Sequence, residues 1–365
     1  MVDKVFSPAF GNRPSHLVGR SSIIADFMRG LDDMPGSRER TMLLLGQRGS
    51  GKTVLLWEFA DRAHEKGFVV ASPTVVDEGM LNRIVEKIQD DGSRFVKDAK
   101  AKLVGGSAGA LGFSIGLEFS REVEESKSAQ YKLTQLCRRL TNQGHGVLIL
   151  VDEVQANNVE LRQLVSLYQE LVGQRLNVAL VMAGLPGAVS ATLNDHVLTF
   201  LNRANKVSLG PLDVREVNAY YMEAFRQLGL DVSADLCLRA AQATQGSPYM
   251  LQLIGYELVL QARGGTVDDE VFNRAVSRAR LDFENDVCQT TLATLSDRDI
   301  DFLEAMAEDA EPSKVADVAQ RMGATADYAQ KYRRRLISAG VIESPRRGEV
   351  AFAVPYLGDY LRSEQ

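Results

Sequence analysis

The stretch Thr41-Met42-Leu43-Leu44-Leu45-Gly46-Gln47-Arg48-Gly49-Ser50-Gly51-Lys52-Thr53 decides the fold. Thr41 to Leu45 reads as a short buried strand, and a helical pattern runs from Lys52 to Lys66, closed by Gly67. Between them Gly46 to Thr53 satisfies GxxxxGK[ST] at every fixed position, in the strand–turn–helix setting that motif needs. The chemistry explains the spacing. Glycines let the backbone wrap closely around a phosphate where a Cβ would collide. Successive N–H groups and the helix N-terminus then face the anion. Gly46, Gln47, Arg48, Gly49, Ser50 and Gly51 form the cradle, Lys52 reaches the terminal phosphates, and the Thr53 hydroxyl ligates Mg2+.

Outward from this loop, strand and helix alternate. Phe68 to Val76 is β-branched and apolar, residues 77–90 look helical, and a helix is expected again from Ser128 to Asn142. Residues 91–126, with Gly105, Gly106, Gly109, Gly112 and Gly116, read as an irregular insertion. Val147 to Val151 is wholly apolar, as in a parallel sheet covered on both faces. A helix over Val159 to Gly173, a strand over Val178 to Ala183 and a short strand over Lys206 to Leu209 complete the alternation. It stops near Pro211: Asp213 to about Thr290 is helical only, and Ser296 opens a third unit. The expected fold class is α/β, a P-loop parallel sheet with helices on both faces, then an all-helical lid and a C-terminal winged helix-turn-helix. The expected divisions are 1–211, 212–292 and 293–365.

The second chemical signal is Val147-Leu148-Ile149-Leu150-Val151-Asp152-Glu153, an apolar strand ending in two acids. Strand ends are where open α/β sheets bind ligands. Asp152 is placed to hold Mg2+, and Glu153 to polarise an attacking water.

Composition narrows the classes. The 365 residues are 45% apolar and 25% charged, an ordinary globular balance. The net charge of −6 excludes a polybasic nucleic-acid coat, though a local basic patch is still possible. Three cysteines, Cys137, Cys237 and Cys288, form no CxxC, and the four histidines do not cluster near them. Neither a disulfide framework nor a structural zinc site is expected, and with no secretory or membrane-length apolar run the reading is a cytoplasmic protein without a membrane partner.

Val315 to Met322 and Ala326 to Ala339, joined by Gly323-Ala324-Thr325, have helix-turn-helix spacing, and a hairpin around Arg346-Arg347-Gly348 stands as the wing. Seven basic residues lie between Arg321 and Arg347 against two acidic ones. Lys331, Arg333, Arg334, Arg335, Arg346 and Arg347 are the candidate contacts to duplex DNA. A protein-binding winged helix whose arginines are solvated or internally paired is the other reading of the same residues.

The order of phosphate loop, Asp-Glu strand, further strand, helical lid and winged helix resembles the AAA+ ATPases, in particular the prokaryotic origin-recognition-type and STAND-like branch. The resemblance runs from about Pro14 to Tyr360 and implies ATP as ligand. It implies an adenine contact at Val18, Gly19 and Arg20, where Leu17-Val18-Gly19-Arg20 matches the family's turn. It puts the strand Val178 to Ala183 between the phosphate-loop and Asp-Glu strands. It implies an arginine finger acting in trans in a homo-oligomer, and Arg203 stands at that location. Gly246-Ser247-Pro248-Tyr249 matches the Gly-x-Pro turn, which either sets the lid against the nucleotide or only starts the next helix. Two departures point to slow turnover: Ala183-Gly184-Leu185-Pro186 carries no polar sensor, and no arginine follows the lid turn.

Two functions fit. One is an ATPase, with ATP and Mg2+, that acts as a nucleotide-dependent switch on DNA. The other is a nucleotide-held signalling or scaffold protein whose winged helix binds protein or clamps the nucleotide domain closed.

Overall fold

The structure is a computed structural model and describes residues 5–9, 13–14, 16–103, 128–155, 158–193, 199–262, 265–310 and 312–364. A five-stranded parallel sheet is built from β1 (Thr41–Leu45), β2 (Phe68–Val75), β3 (Gly146–Asp152), β4 (Val178–Gly184) and β5 (Asn205–Ser208), in the order β2-β3-β4-β1-β5. The strand Val178 to Gly184 therefore lies between the phosphate-loop and Asp-Glu strands, with Leu148 opposite Ala179 and Leu43 opposite Met182. All seven residues of β3 are buried, which matches its unbroken apolar run.

Alternating side chains feed two layers. Leu43, Val69, Val147 and Ile149 pack with α3 (Met80–Leu103), α4 (Ala129–Asn142) and α5 (Val159–Gly173). Met42, Leu44, Val70 and Leu148 pack with α1 (Ser21–Gly30) and α2 (Lys52–Glu65). Period-two alternation in the strands thus places helices on both faces of the sheet.

After α6 (Pro186–Leu193) and β5 the chain enters a helical region: α7 (Val214–Gln227), α8 (Ala234–Ala243), α9 (Pro248–Gln261) and α10 (Asp269–Phe283), which runs on through a π-helical turn at Glu284–Gln289. The C-terminal unit holds α11 (Asp297–Ala307), α12 (Val315–Arg321), α13 (Ala326–Ser338) and α14 (Leu357–Ser363). Its antiparallel sheet has the order β8-β10-β9, from β8 (Ser313–Lys314), β9 (Ile342–Glu343) and β10 (Glu349–Phe352). The lid and the C-terminal unit share one continuous apolar core.

Three expectations need correction. The helix expected over 77–90 runs from Met80 to Leu103, through residues assigned to the insertion. Asp91 faces inward and accepts from Val70 N at 2.7 Å and pairs with His64 at 2.9 Å, so packing outweighs the ~1 kcal/mol cost of Gly92. The rest of the insertion, 104–127, lies outside the described residues. The region from Asp213 to Thr290 is not helical only, because β6 (Asp231–Val232) and β7 (Thr266–Val267) pair in parallel. Two-residue strands carry no periodic signal. Finally, the start of the chain, grouped with residues 1–211, packs on the lid. Phe6 is fully buried against Tyr221 and Phe225, and Ser7 N donates to Gln252 Oε1 at 2.8 Å.

Candidate functional site

The glycine turn after β1 is shaped by its own side chains. A Cβ at Gly46 would lie 2.3 Å from Ser50 Oγ, and Gly51, the residue before α2, has φ +84°. Only glycine fits the first position without a clash, and the second is left-handed backbone. The loop is tied to the sheet by Gly46 N donating to Gly184 O at 3.2 Å and Leu209 N to Leu45 O at 2.7 Å. Lys52 Nζ donates to Gly46 O at 2.9 Å and Gln47 O at 2.7 Å.

The two expected magnesium ligands meet: Thr53 Oγ1 donates to Asp152 Oδ2 at 2.5 Å, although 99 residues separate them. Asp152 is buried, and its other oxygen accepts Glu153 N at 2.9 Å. Glu153 is exposed and has φ +52°, a left-handed backbone that is uncommon outside glycine. Strained residues of this kind concentrate at functional sites. Two oxygen ligands from the loop and the strand end suit a hard cation such as Mg2+.

Burial pushes the Lys52 ammonium down to about 8; Asp152 and Glu153 partly oppose this and Arg48 adds to it. The sign for folding follows. Above this value the folded chain is neutral at Lys52 while the unfolded chain stays charged, so stability rises with pH across that window. Anion binding runs the other way, since a phosphate needs the charged amine. At about pH 9 roughly nine-tenths of the lysines are neutral, so ATP should bind about tenfold more weakly than at about pH 7. Titration with a fluorescent ATP analogue at the two pH values checks this; equal affinity would contradict a lysine–phosphate contact.

Of the expected adenine contacts, Val18 and Gly19 form a turn against Leu212 and Glu216, the first residues of the lid. Arg20 is mostly buried and donates to Gly210 O at 2.9 Å, so its guanidinium is engaged by the backbone that leads from β5 into the helical region. Burial lowers its pKa, while Glu216 opposes the shift. The lid turn starts the next helix and lies beside the phosphate loop. Ser247 caps α9 by accepting Met250 N, and Pro248 and Tyr249 stand 3.9 and 3.5 Å from where a Cβ at Gly51 and Gly49 would be. Arg203 is exposed and precedes β5, whose Ser208 lies beside Leu45 at the loop end. The four-residue strand separates Arg203 from its own phosphate loop by roughly 13 Å at about 3.3 Å per residue.

The basic residues of the C-terminal unit divide into two sets. Arg334, Arg346 and Arg347 are exposed, and Lys331 is exposed beside the Tyr332 ring. Arg333 Nη2 donates to Ser344 Oγ at 2.7 Å, tying α13 to the hairpin. Arg335 pairs at 2.6 Å with Asp299, which is fully buried. Arg321 is likewise held by Asp309 and Glu308. An arginine in a basic run reads as a nucleic-acid contact, and only its buried partner distant in sequence distinguishes the two.

Sequence reasoning missed the far wall of the site. A cavity of about 510 Å³ is bounded by Gly46–Ser50 on one side and by the C-terminal unit on the other, including Phe352–Tyr356, Glu343, Asp359 and Arg362. Nothing local in those residues signals a role beside the phosphate loop.

Comparison with known proteins bears on the fold. Residues 16–182 match a family model described as "AAA ATPase domain", and residues 285–361 match one described as "Domain of unknown function (DUF8462)". No curated protein sequence matches the chain. Among solved structures, a Walker-type ATPase of Pyrococcus abyssi is similar at 18% identity and TM-score 0.69, covering 96% of this chain and 97% of that one. The ORC2 protein of Aeropyrum pernix, in ADPNP and ADP complexes, is similar at 14% identity and TM-score 0.65, covering 99% of both chains. Cdc6p of Pyrobaculum aerophilum is similar at 14% identity and TM-score 0.51, covering 98% and 97%. At these identities the likeness is one of fold: a P-loop α/β domain followed by a helical C-terminal region. Among the described residues no helix is long and apolar enough to cross a membrane.

Proposed function

We propose that the chain binds ATP at its phosphate loop and hydrolyses it slowly, as a nucleotide-dependent switch that engages duplex DNA. The observation that carries the nucleotide half is the junction of Thr53 and Asp152, with Lys52 beside it and Glu153 on strained backbone. Gly46–Gly51 cradle the phosphates and Lys52 binds their charge. Val18 and Gly19 pack on the adenine. Thr53 and Asp152 would hold Mg2+, which when bound neutralises charge on the phosphate oxygens. Glu153 accepts a proton from the attacking water. Arg203, remote from its own loop, serves a neighbouring subunit. The apolar segment Ala183-Gly184-Leu185-Pro186 supplies no side-chain sensor, which favours slow turnover.

For the DNA half, α12, the turn at Gly323 and α13 are read as a helix-turn-helix and the β8-β10-β9 sheet as its wing. Lys331, Arg334, Arg346 and Arg347 are the contacts. Four phosphate contacts predict a loss of about 10²-fold in affinity for a labelled duplex between about 50 and 200 mM salt. Lys331→Ala with Arg334→Ala should reduce that loss to about tenfold, read by fluorescence anisotropy. The scaffold reading is favoured by one observation: Arg333 and Arg335 are committed inside the protein. An absence of duplex binding at low salt would select it.

A further inference from the structure

We propose that the N-terminal segment from Val5 to Gly19 is a clasp that holds the adenine turn against the lid and slows nucleotide release, with Phe6 as its positioning residue. The inference rests on the nucleotide reading above, in which Val18 and Gly19 pack on the adenine. It adds what fixes those two residues in place.

The clasp begins in a socket in the lid. Phe6 is fully buried, with its ring 5.6 Å from Phe225, 5.9 Å from Tyr220 and 6.0 Å from Tyr221. The socket exists because α9 carries glycine at position 255. A Cβ there would lie 2.2 Å from Phe6 Cε1. A glycine inside a helix weakens it, so α9 gives up helix stability to seat this ring. The backbone on either side of Phe6 is held too. Tyr220 Oη donates to Val5 O at 3.0 Å, and Ser7 N donates to Gln252 Oε1 at 2.8 Å.

Tyr220 links the socket to the adenine turn. Its ring meets Phe6 nearly perpendicularly, at 81°, and the His16 ring stacks on it at 5.8 Å and 15°. His16 stands two residues before Val18. Val18 packs on the lid core, and a Cβ at Gly19 would lie 3.0 Å from Glu216 Oε2 and 3.1 Å from Leu212 Cδ2. Leu17, between His16 and Val18, packs instead on the layer that holds α1 and α2.

The same segment is fastened to the ATP-binding domain. The Arg13 guanidinium lies 4.2 Å over the Trp57 ring and donates to Asp61 at 2.8 Å, both on α2. The turn is therefore anchored to the lid and to the helix that follows the phosphate loop. A turn held on both sides needs little ordering when adenine docks. Freed on its N-terminal side, it must be ordered by the nucleotide, and such a loss appears mainly as faster dissociation.

The test is nucleotide release from the full-length chain. A ribose-labelled fluorescent ATP is chased with excess ATP. Inorganic tripolyphosphate, which carries the phosphates without the adenine, is measured as a competitor. Phe6→Ala should release the labelled ATP about tenfold faster, with association and tripolyphosphate affinity unchanged. Gly255→Ala, which displaces the ring, should match it, and the two together should lose no more than either alone. His16→Ala alters an exposed side chain outside the lid core and should also speed release, which keeps the test open where the core variants do not fold. Unchanged release in folded Phe6→Ala and His16→Ala chains overturns the clasp while the nucleotide reading stands. An equal loss of tripolyphosphate affinity does the same, because it places the damage outside the adenine turn. No binding of labelled ATP by the unaltered chain overturns both.

Discussion

Glu153→Gln is expected to lower ATP turnover by about 10³-fold and to leave ATP affinity within about threefold. A positioned general base contributes typically 10²–10⁴-fold, and glutamine keeps the shape while removing the proton acceptor. The local structure supports that assignment. Asp152 Oδ1 takes the Glu153 N–H at 2.9 Å, which fixes the backbone at the strand end. Glu153 holds φ +52°, which costs a non-glycine residue roughly 1–2 kcal/mol. A fold that tolerates this in an exposed carboxylate places the side chain for something other than packing. A coupled phosphate-release assay and a fluorescent nucleotide titration measure the two quantities. Turnover at the wild-type rate in the variant would remove Glu153 from the chemistry.

The second large effect falls on stability. Arg335→Ala should destabilise the chain by about 2–4 kcal/mol in urea unfolding, whereas Arg334→Ala, one residue away, should stay within about 0.5 kcal/mol. Asp299 is fully buried, accepts Ser296 N at 3.0 Å and Ser296 Oγ at 2.7 Å, and meets Arg335 at 2.6 Å. Its Oδ1 has no hydrogen-bond partner. Removing the arginine strands a charge in the core. Because the Arg335 side chain is about half exposed, the cost is set below that of a wholly buried pair. Asp299→Asn in the Arg335→Ala background should recover part of the loss, since it removes the stranded charge. Equal effects of the two arginine substitutions would contradict a structural role for Arg335.

Much of the fold was legible because its signals are local. The loop Gly46 to Thr53 needs particular residues at fixed spacing, and a strand buried on both faces can only be an unbroken apolar run such as Val147 to Val151. The same locality explains the misses. Two-residue strands such as β6 and β7 have no period to detect. Gly92 and the acids before it look like a helix end, and only the partners of Asp91 on a neighbouring strand and helix show otherwise. Phe6 sits in a turn-rich stretch, and its burial depends on lid helices more than 200 residues away. The site divides the same way. Lys52, Thr53, Asp152 and Glu153 announce themselves by type and spacing. The Arg335–Asp299 pair and the wall carrying Asp359 arise only when distant segments are brought together.

The account joins nucleotide chemistry at one end of the sheet to a basic C-terminal unit at the other side of a shared cavity. The most direct test is steady-state ATP turnover in the full-length chain, titrated with duplex DNA at low salt. The account predicts a slow basal rate that duplex DNA increases, and no response in Glu153→Gln. ATP that stays bound and unhydrolysed with and without DNA would contradict it.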